Sequence, residues 1–552
     1  MARADRKAAA AESAKTGVMT HRQIMFVLFG LMSGMFLSAL DQSVVGTAMR
    51  TIADDLHGLS AQAWVTTAYL ITSTIATPIY GKLGDIFGRR PLFLAAISIF
   101  IVGSVISAFA TTMYELAVFR AIQGIGAGGL FALALTILAD IVSPKERARY
   151  QGMFLAVFGT SSVLGPLIGG LLAGVDSFLG VTGWRWIFLM NLPLGAMALV
   201  MVISFLHLPH HEHQSKRIDW WGVVTIIIGV VPLLIVAEQG REWGWSSTEA
   251  IISYLVGGLG IIAFVMVERV MGADALLPLH LFKSRTFSLS TVLGVIIGVG
   301  MFGGMISLPL VLQIVYGATP TEAGYLMIPM VFGLMTASIV SGRITSKTGK
   351  YKIFMIGGTA LMALSYFYLS SLNYTWAIWQ VSIGMVVMGL GLGQMMQTLT
   401  IASQNAVEAK DIGVATSSAT FFRQMGGTLG VAVFLSILFN NMADRVPGVF
   451  AKIVPALKDP ALMALPGNKG FPSNPMELGG RLATDSSFLK NASPELADPV
   501  KQGFAESAAN VFVSASLVVV IAFVVAIFVK EIALRTKSGF QERAEDAASS
   551  MH

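Results

Sequence analysis

The chain has 552 residues, 55% of them hydrophobic and only 12% charged, with a mean hydropathy of +0.72. Soluble domains carry about a quarter charged residues, so this composition excludes a water-covered globule; with 57 glycines it suits helices packed closely in lipid. The net charge of +6 comes from short basic clusters scattered between apolar runs, which excludes a nucleic-acid surface, and the absence of cysteine excludes disulfides and thiolate metal sites.

Residues 1–23 are alanine-rich and basic without an apolar core, which predicts a tail and no removable signal peptide. Apolar runs of about 20 residues, enough for some 30 Å of hydrocarbon, then recur fourteen times. The first, 24–46, contains Leu40-Asp41-Gln-Ser-Val. The second, 62–81, holds Tyr69 and ends in Gly81-Lys-Leu-Gly-Asp85-Ile-Phe-Gly88-Arg89-Arg90-Pro91. After the third, 91–110, the fourth (114–138) contains Leu116-Ala-Val-Phe-Arg120-Ala-Ile-Gln123-Gly124-Ile-Gly126-Ala127-Gly128 and is followed by Asp140. The fifth, 151–174, has Gly159 and then Gly165-Pro166-Leu-Ile-Gly169-Gly170; the sixth, 185–206, follows Gly183-Trp184 and contains Asn191-Leu-Pro193.

Next come His207, His210, His211 and His213, read as a solvated linker and not as a metal site because the only nearby acid is Glu212. Spans seven and eight, 219–238 and 250–267, lie in the linker region 207–286. The remaining six are 287–315, 321–342, 353–371, 375–400, 412–439 and 506–529; the thirteenth contains Phe422-Arg423-Gln424-Met-Gly426-Gly427. Between the last two, the long proline-containing segment 440–505 is predicted to be an outer loop. Within it, the apolar run Val449–Leu465 either rests on the lipid surface, caps the exit, or is plainly solvated. The organisation is thus a tail (1–23), a six-helix bundle (24–206), the linker with two spans (207–286), a second six-helix bundle (287–530) and a tail (531–552).

Basic flanks stay in the cytoplasm. Arg3, Arg6, Lys7, Lys15 and Arg22 share that side with alternate loops holding Lys82, Arg89 and Arg90, then Lys145, Arg147 and Arg149, then Lys216 and Arg217, Lys283 and Arg285, and Arg343, Lys347, Lys350 and Lys352. Both termini are therefore expected in the cytoplasm of a multi-pass protein of the cell membrane.

Ionisable residues inside a bilayer are costly and are functional candidates by default. Asp41 lies about 17 residues into a helix entering from the cytoplasm, roughly 25 Å deep, and Arg120 about 6 residues, roughly 9 Å, into one entering from outside. The two arrive at similar depth, where burial opposes the aspartate's charge and the arginine supports it. The pair is either a switchable proton-coupling unit or a permanent tie between spans one and four. Glu238 and Glu322, at span ends, are read as interfacial charges. In the fifth span, Pro166 and the glycines predict a bent helix in close contact with its neighbours, either an ordinary kink or a seal.

The Gly81–Pro91 string, the arginine-glycine stretch around Arg120 and the Gly165–Gly170 stretch resemble the motifs of the major facilitator superfamily, the last being its antiporter motif. Fourteen spans, the Asp41 motif, Trp184-Arg185-Trp186 with Asn191-Leu-Pro193, and the Arg423 motif are similar to the fourteen-span drug:proton antiporter family. The resemblance covers residues 24 to about 530. It implies an all-α fold of two six-helix bundles plus two inserted helices, and export of amphipathic or cationic small molecules in exchange for protons.

It also implies proton coupling at Asp41 and Arg120, a cytoplasmic gate of Gly81, Asp85, Gly88, Arg89, Arg90 and Asp140, and sealing by Gly159, Gly165, Pro166, Gly169 and Gly170. Tyr69, Gln123, Met301, Phe302 and Gln397 are the cavity candidates. Gly46 and Arg50 depart from the first-span motif, and the second-half echo of the loop, Gly342-Arg343-Ile-Thr-Ser346-Lys347-Thr-Gly349-Lys350, lacks its acid. No nucleotide-binding glycine loop is present, so no cofactor is expected and the proton gradient is the natural driver; a monomer is the expected state. The rivals are a dedicated exporter of one product and a non-transporting receptor or scaffold. An enzyme is not expected, since no nucleophile, base and orienting group converge by spacing.

Overall fold

Serine and threonine at the ends of apolar runs fix where helices start, because a hydroxyl can accept the first free backbone N–H groups. Thr112 accepts from the Glu115 amide and Ser143 from that of Glu146, while Thr319 and Glu322 form a reciprocal capping box. That box gives Glu322 a local structural task. The computed structural model describes residues 21–58, 61–206, 217–484, 487–539 and 541–542. The His207–His213 cluster with Lys216, the N-terminal residues 1–20 and the end of the C-terminal tail, 543–552, lie outside the described residues.

The first bundle contains α1 (His21–Asp55), α2 (Gln62–Phe87), α3 (Arg89–Ser107), α4 (Met113–Ile141), α5 (Pro144–Ala173) and the broken span α6 (Arg185–Leu189) with α7 (Asn191–Phe205). A small hairpin, Ser177–Phe178 with Val181–Thr182, precedes α6. The pair α8 (Trp220–Trp243) and α9 (Thr248–Met271) follows, packed on each other, with α8 also against α2. The second bundle contains α10 (Arg285–Ile314), the broken span α11 (Pro320–Leu326) with α12 (Ile328–Thr348), α13 (Lys352–Leu369), α14 (Ile378–Asn405), α15 (Ile412–Leu457), the short α16 (Pro460–Met463) and α17 (Pro475–Thr484), and α18 (Pro494–Phe528). The bundles meet chiefly through α5 on α12 and α2 on α15.

Thirteen helical stretches among the described residues are long and apolar enough to cross a membrane. At the remaining predicted position stands α2, 26 residues long but carrying five threonines and a serine. Thr72, Ser73 and Thr77 donate to the carbonyls of Ala68, Leu70 and Ser73, so this polarity is spent inside the helix.

The segment 440–505 differs from its expected form. α15 continues to Leu457, well past the predicted end near 439, and α18 begins at Pro494, before the predicted start at 506. Hydropathy marks where a helix leaves lipid and not where it ends, and Pro447, Pro455 and Pro499 are carried within the helices. Val449 and Ile453, from the run read as resting on lipid, capping the exit or solvated, are buried with Leu478, Leu482, Leu489 and Phe504 in a core continuous with the second bundle. Asn468, fully buried, pins this cap by donating to Leu462 O (2.8 Å) and Ser493 Oγ (3.1 Å) and accepting from the Ser493 amide (2.8 Å).

Candidate functional site

Asp41 of α1 and Arg120 of α4 meet as a buried ion pair through Arg120 Nη1 and Asp41 Oδ2. Gln123, one turn from Arg120, accepts from Nη1 (2.7 Å) and donates to Asp41 Oδ1 (2.9 Å). Asn191, at the start of α7, donates to the same Oδ1 (2.7 Å) and to Ser104 Oγ of α3 (2.8 Å). The Arg120 guanidinium lies 4.0 Å from the centre of the Tyr69 ring, and the Tyr69 hydroxyl bonds Ser38 Oγ at 2.9 Å. Five helices thus converge on one charge pair, whose burial is offset by charge-assisted hydrogen bonds and a cation–π contact.

Glycines permit the convergence. A Cβ on Gly103 would lie 2.6 Å from Gln123 Cα, and one on Gly124 2.5 Å from Tyr69 O. Gln123 and Tyr69, taken from the sequence as cavity candidates, belong to this cluster. Asn191 was singled out only as part of a motif; its side chain is the group that ties the aspartate to the sixth span.

The end of the molecule carrying Lys82, Arg89 and Arg90, here the basic end, is closed by a second charged cluster. Arg89 bonds Asp85 at 2.6 Å, pairs with Asp140 and donates to Thr136 O at 3.0 Å. Asp85 Oδ2 crosses to the other bundle, accepting the Val414 amide at 3.2 Å in the first turn of α15, where a helix favours negative charge. Gly81 brings α2 onto α15 so closely that a Cβ there would lie 2.0 Å from Ser417 Oγ, and Gly88, at φ 86°, makes the turn into α3. Arg90 does not join the latch expected of it: it donates to Ile203 O on α7 at 2.9 Å. Consecutive residues point about 100° apart on a helix, so only one of the two arginines faces α4.

Two further ties at this end lay beyond the sequence reading. Arg147 of α5 bonds Gln404 of α14 and donates to Ala139 O (2.8 Å) and Val142 O (3.1 Å). Arg535, after α18, donates to Gln404 O and Val407 O, both at 2.9 Å. Gln397, a cavity candidate, is instead a tie between bundles, donating to Ala148 O at 2.5 Å and accepting from Ser338 Oγ at 3.0 Å.

Toward the opposite end a cavity of about 200 Å³ lies between the bundles, lined by Ser162 and Pro166 of α5, Met305, Pro309 and Gln313 of α10, and Met327. None of Tyr69, Gln123, Met301, Phe302 and Gln397 lines it. Met301 is covered in the core of the second bundle, and the Phe302 ring lies against Gly427. The Gly159–Gly170 stretch packs two ways. Cβ atoms on Gly165 and Gly169 would meet Ser43 Oγ (2.2 Å) and Val44 O (2.8 Å) on α1, whereas those on Gly159 and Gly170 would meet Val331 (2.5 Å) and Thr321 (3.0 Å) of the other bundle.

Comparison with known proteins gives a consistent family. The chain is 32% identical over 540 residues to the multidrug transporter protein MdtP of Bacillus subtilis, covering 97% of this chain and 98% of that protein. It is 32% identical over 520 residues to multidrug resistance protein 3 of the same organism, covering 94% and 98%. Among solved structures, the proton:xylose symporter XylE superposes with a TM-score of 0.56 at 16% identity, over 96% of this chain and all of that one. The human organic anion transporter MFSD10 gives 0.55 at 13%, over 90% and 99%; at these identities both likenesses concern the fold alone. The Major Facilitator Superfamily model matches residues 31–431, and this multi-pass membrane protein belongs to that superfamily of transporters.

Proposed function

We propose that the chain is a proton-coupled antiporter that exports amphipathic small molecules across the cell membrane by alternating access, with its basic end in the cytoplasm. The observation that carries this reading is the buried Asp41–Arg120 cluster, in which the aspartate of α1 accepts from Arg120 and Gln123 of α4 and from Asn191 of α7. A proton on Asp41 cancels the charge that holds Arg120, Gln123 and Asn191 together, so α1, α4 and α7 are freed to shift. Arg120 then serves as the internal counter-charge that expels the proton when the cluster re-forms.

The Asp85–Arg89–Asp140 closure between the bundles at the basic end and the cavity between them toward the other end support an outward-facing state, the cavity of about 390 Å³ at the basic end lying beside α1, α4, α5 and the C-terminal segment and not between the bundles. In this scheme Asp85, Arg89 and Asp140 latch the cytoplasmic side, with Gly81 and Gly88 shaping the latch. Gly159, Gly165, Pro166, Gly169 and Gly170 keep α5 tight against both bundles and deny protons a bypass. The names of the Bacillus relatives support broad specificity, with drug tolerance as the cellular phenotype.

Dye efflux with proton movement in proteoliposomes under an imposed pH gradient tests this. Gradient-driven transport of several unrelated dyes is expected, with coupling abolished in Asp41→Asn. Transport of none of them would replace broad export with a dedicated exporter, and a fully coupled Asp41→Asn would make the pair a static tie.

A further inference from the structure

Arg423 of α15 stands eleven residues beyond Ile412, about 16 Å along the helix and hence near the middle of the hydrocarbon layer. Its carbonyl is 2.3 Å from a Cβ built on Gly298 of α10, and its own Cβ is 4.0 Å from one built on Gly294, which also faces Leu399 of α14 at 3.4 Å. The residue is therefore rooted between α10, α14 and α15. It is surrounded by protein yet keeps some accessible surface.

Among the described residues the guanidinium has no hydrogen bond or ion pair. The buried carboxylates of the first bundle are engaged elsewhere, Asp41 with Arg120 and both Asp85 and Asp140 with Arg89. One turn from Gly294 on α10, the buried hydroxyls of Ser290 and Thr291 also lack partners. A charge at this depth is expensive unless something supplies opposite charge, and a carboxylate offers a guanidinium two parallel bonds.

We infer that Arg423, with Ser290 and Thr291, is the recognition point for an anionic group on the cargo, so that the exported class includes amphipathic organic anions bearing a carboxylate. This rests on the transporter reading above. Along α10, Met305 lines the cavity and Gly298 touches Arg423, seven residues or about 10 Å away, with Met301 and Phe302 between. An amphipath of that length would lay its apolar body along the methionines of the cavity and, once the packed Met301 and Phe302 side chains move aside, reach Arg423 with its carboxylate.

The test uses purified full-length protein and two fluorescent probes that differ only in charge, N-dansyl-glycine and its N-methylamide. The unaltered chain is expected to bind the carboxylate about ten-fold tighter or more, as a charge-assisted bond provides. That preference should fall to about one in Arg423→Gln, survive in Arg423→Lys, and weaken several-fold in Ser290→Ala with Thr291→Val. Equal affinity of the two probes on the unaltered chain overturns the inference even if the glutamine variant fails to fold, and so does an undiminished preference in a folded Arg423→Gln. The same probes in proteoliposomes separate the two readings. A carboxylate preference in binding without any gradient-driven movement removes the antiport reading and leaves the site; driven transport of cationic dyes with no carboxylate preference does the reverse.

Discussion

Two arginines at membrane depth, the buried Arg120 of the first bundle and the half-buried Arg423 of the second, have opposite surroundings. Arg120 is held by Asp41, Gln123 and the Tyr69 ring, whereas Arg423 has no protein partner among the described residues. In the first, the carboxylate is met by three donors within the protein, and of the cluster's buried polar atoms only Arg120 Nε and Asn191 Oδ1 make no bond among the described residues. The second is unfinished and calls for something from outside the chain. On the two readings proposed above, one residue type serves coupling in one bundle and recognition in the other, and the difference lies in whether neighbouring helices bring a carboxylate.

Stability measurements can break this comparison. The largest effect is expected for Arg120→Ala, which leaves Asp41 buried beside two amides alone; a loss of about 3–5 kcal/mol should appear as a much lower midpoint of denaturation in detergent. Asn191→Ala removes a bond to a charged group and should cost about 1.5–3 kcal/mol in the same assay. Gly81→Ala forces a methyl group onto Ser417 and should cost about 1–3 kcal/mol. It should also loosen the basic end, which a cysteine introduced as Thr77→Cys would report by faster labelling, the chain having no other cysteine. Arg423→Gln is expected to change stability by less than about 1 kcal/mol or to raise it, since no bond is lost and an unpaired ion is removed. A destabilisation as large as that of Arg120→Ala would erase the distinction between the two arginines.

Much of this was legible in the sequence, for identifiable reasons. Span positions follow from the thickness of hydrocarbon, and the meeting of Asp41 with Arg120 follows from counting residues inward from opposite faces. The rest depends on direction around a helix axis, which counting does not supply. Arg89 and Arg90 look equivalent in the string but face α4 and α7. Gln397 reads as a polar lining residue until Ala148 O is found against it. Whether Arg423 has a partner is a property of three helices at once, so its motif could be noticed and its loneliness could not. The sequence leaves a cap open for Val449–Leu465 but not its helical form, because prolines and falling hydropathy mimic the end of α15, although an amphipathic surface outside lipid needs no long apolar run.

The cap has a mechanical consequence. α15 is one element of 46 residues, about 69 Å, reaching from the Val414 amide that Asp85 holds to the interior of the cap, where Ile453 is buried. The Arg445–Glu506 bridge (2.6 Å) and the shared core bind it to α18, so the cap moves as the second bundle moves. In the alternating-access cycle proposed above, release of the latch at one end would work as a lever whose far arm is the cap. A fluorophore pair on the cap and on the hairpin of the first bundle would register movement of one bundle against the other.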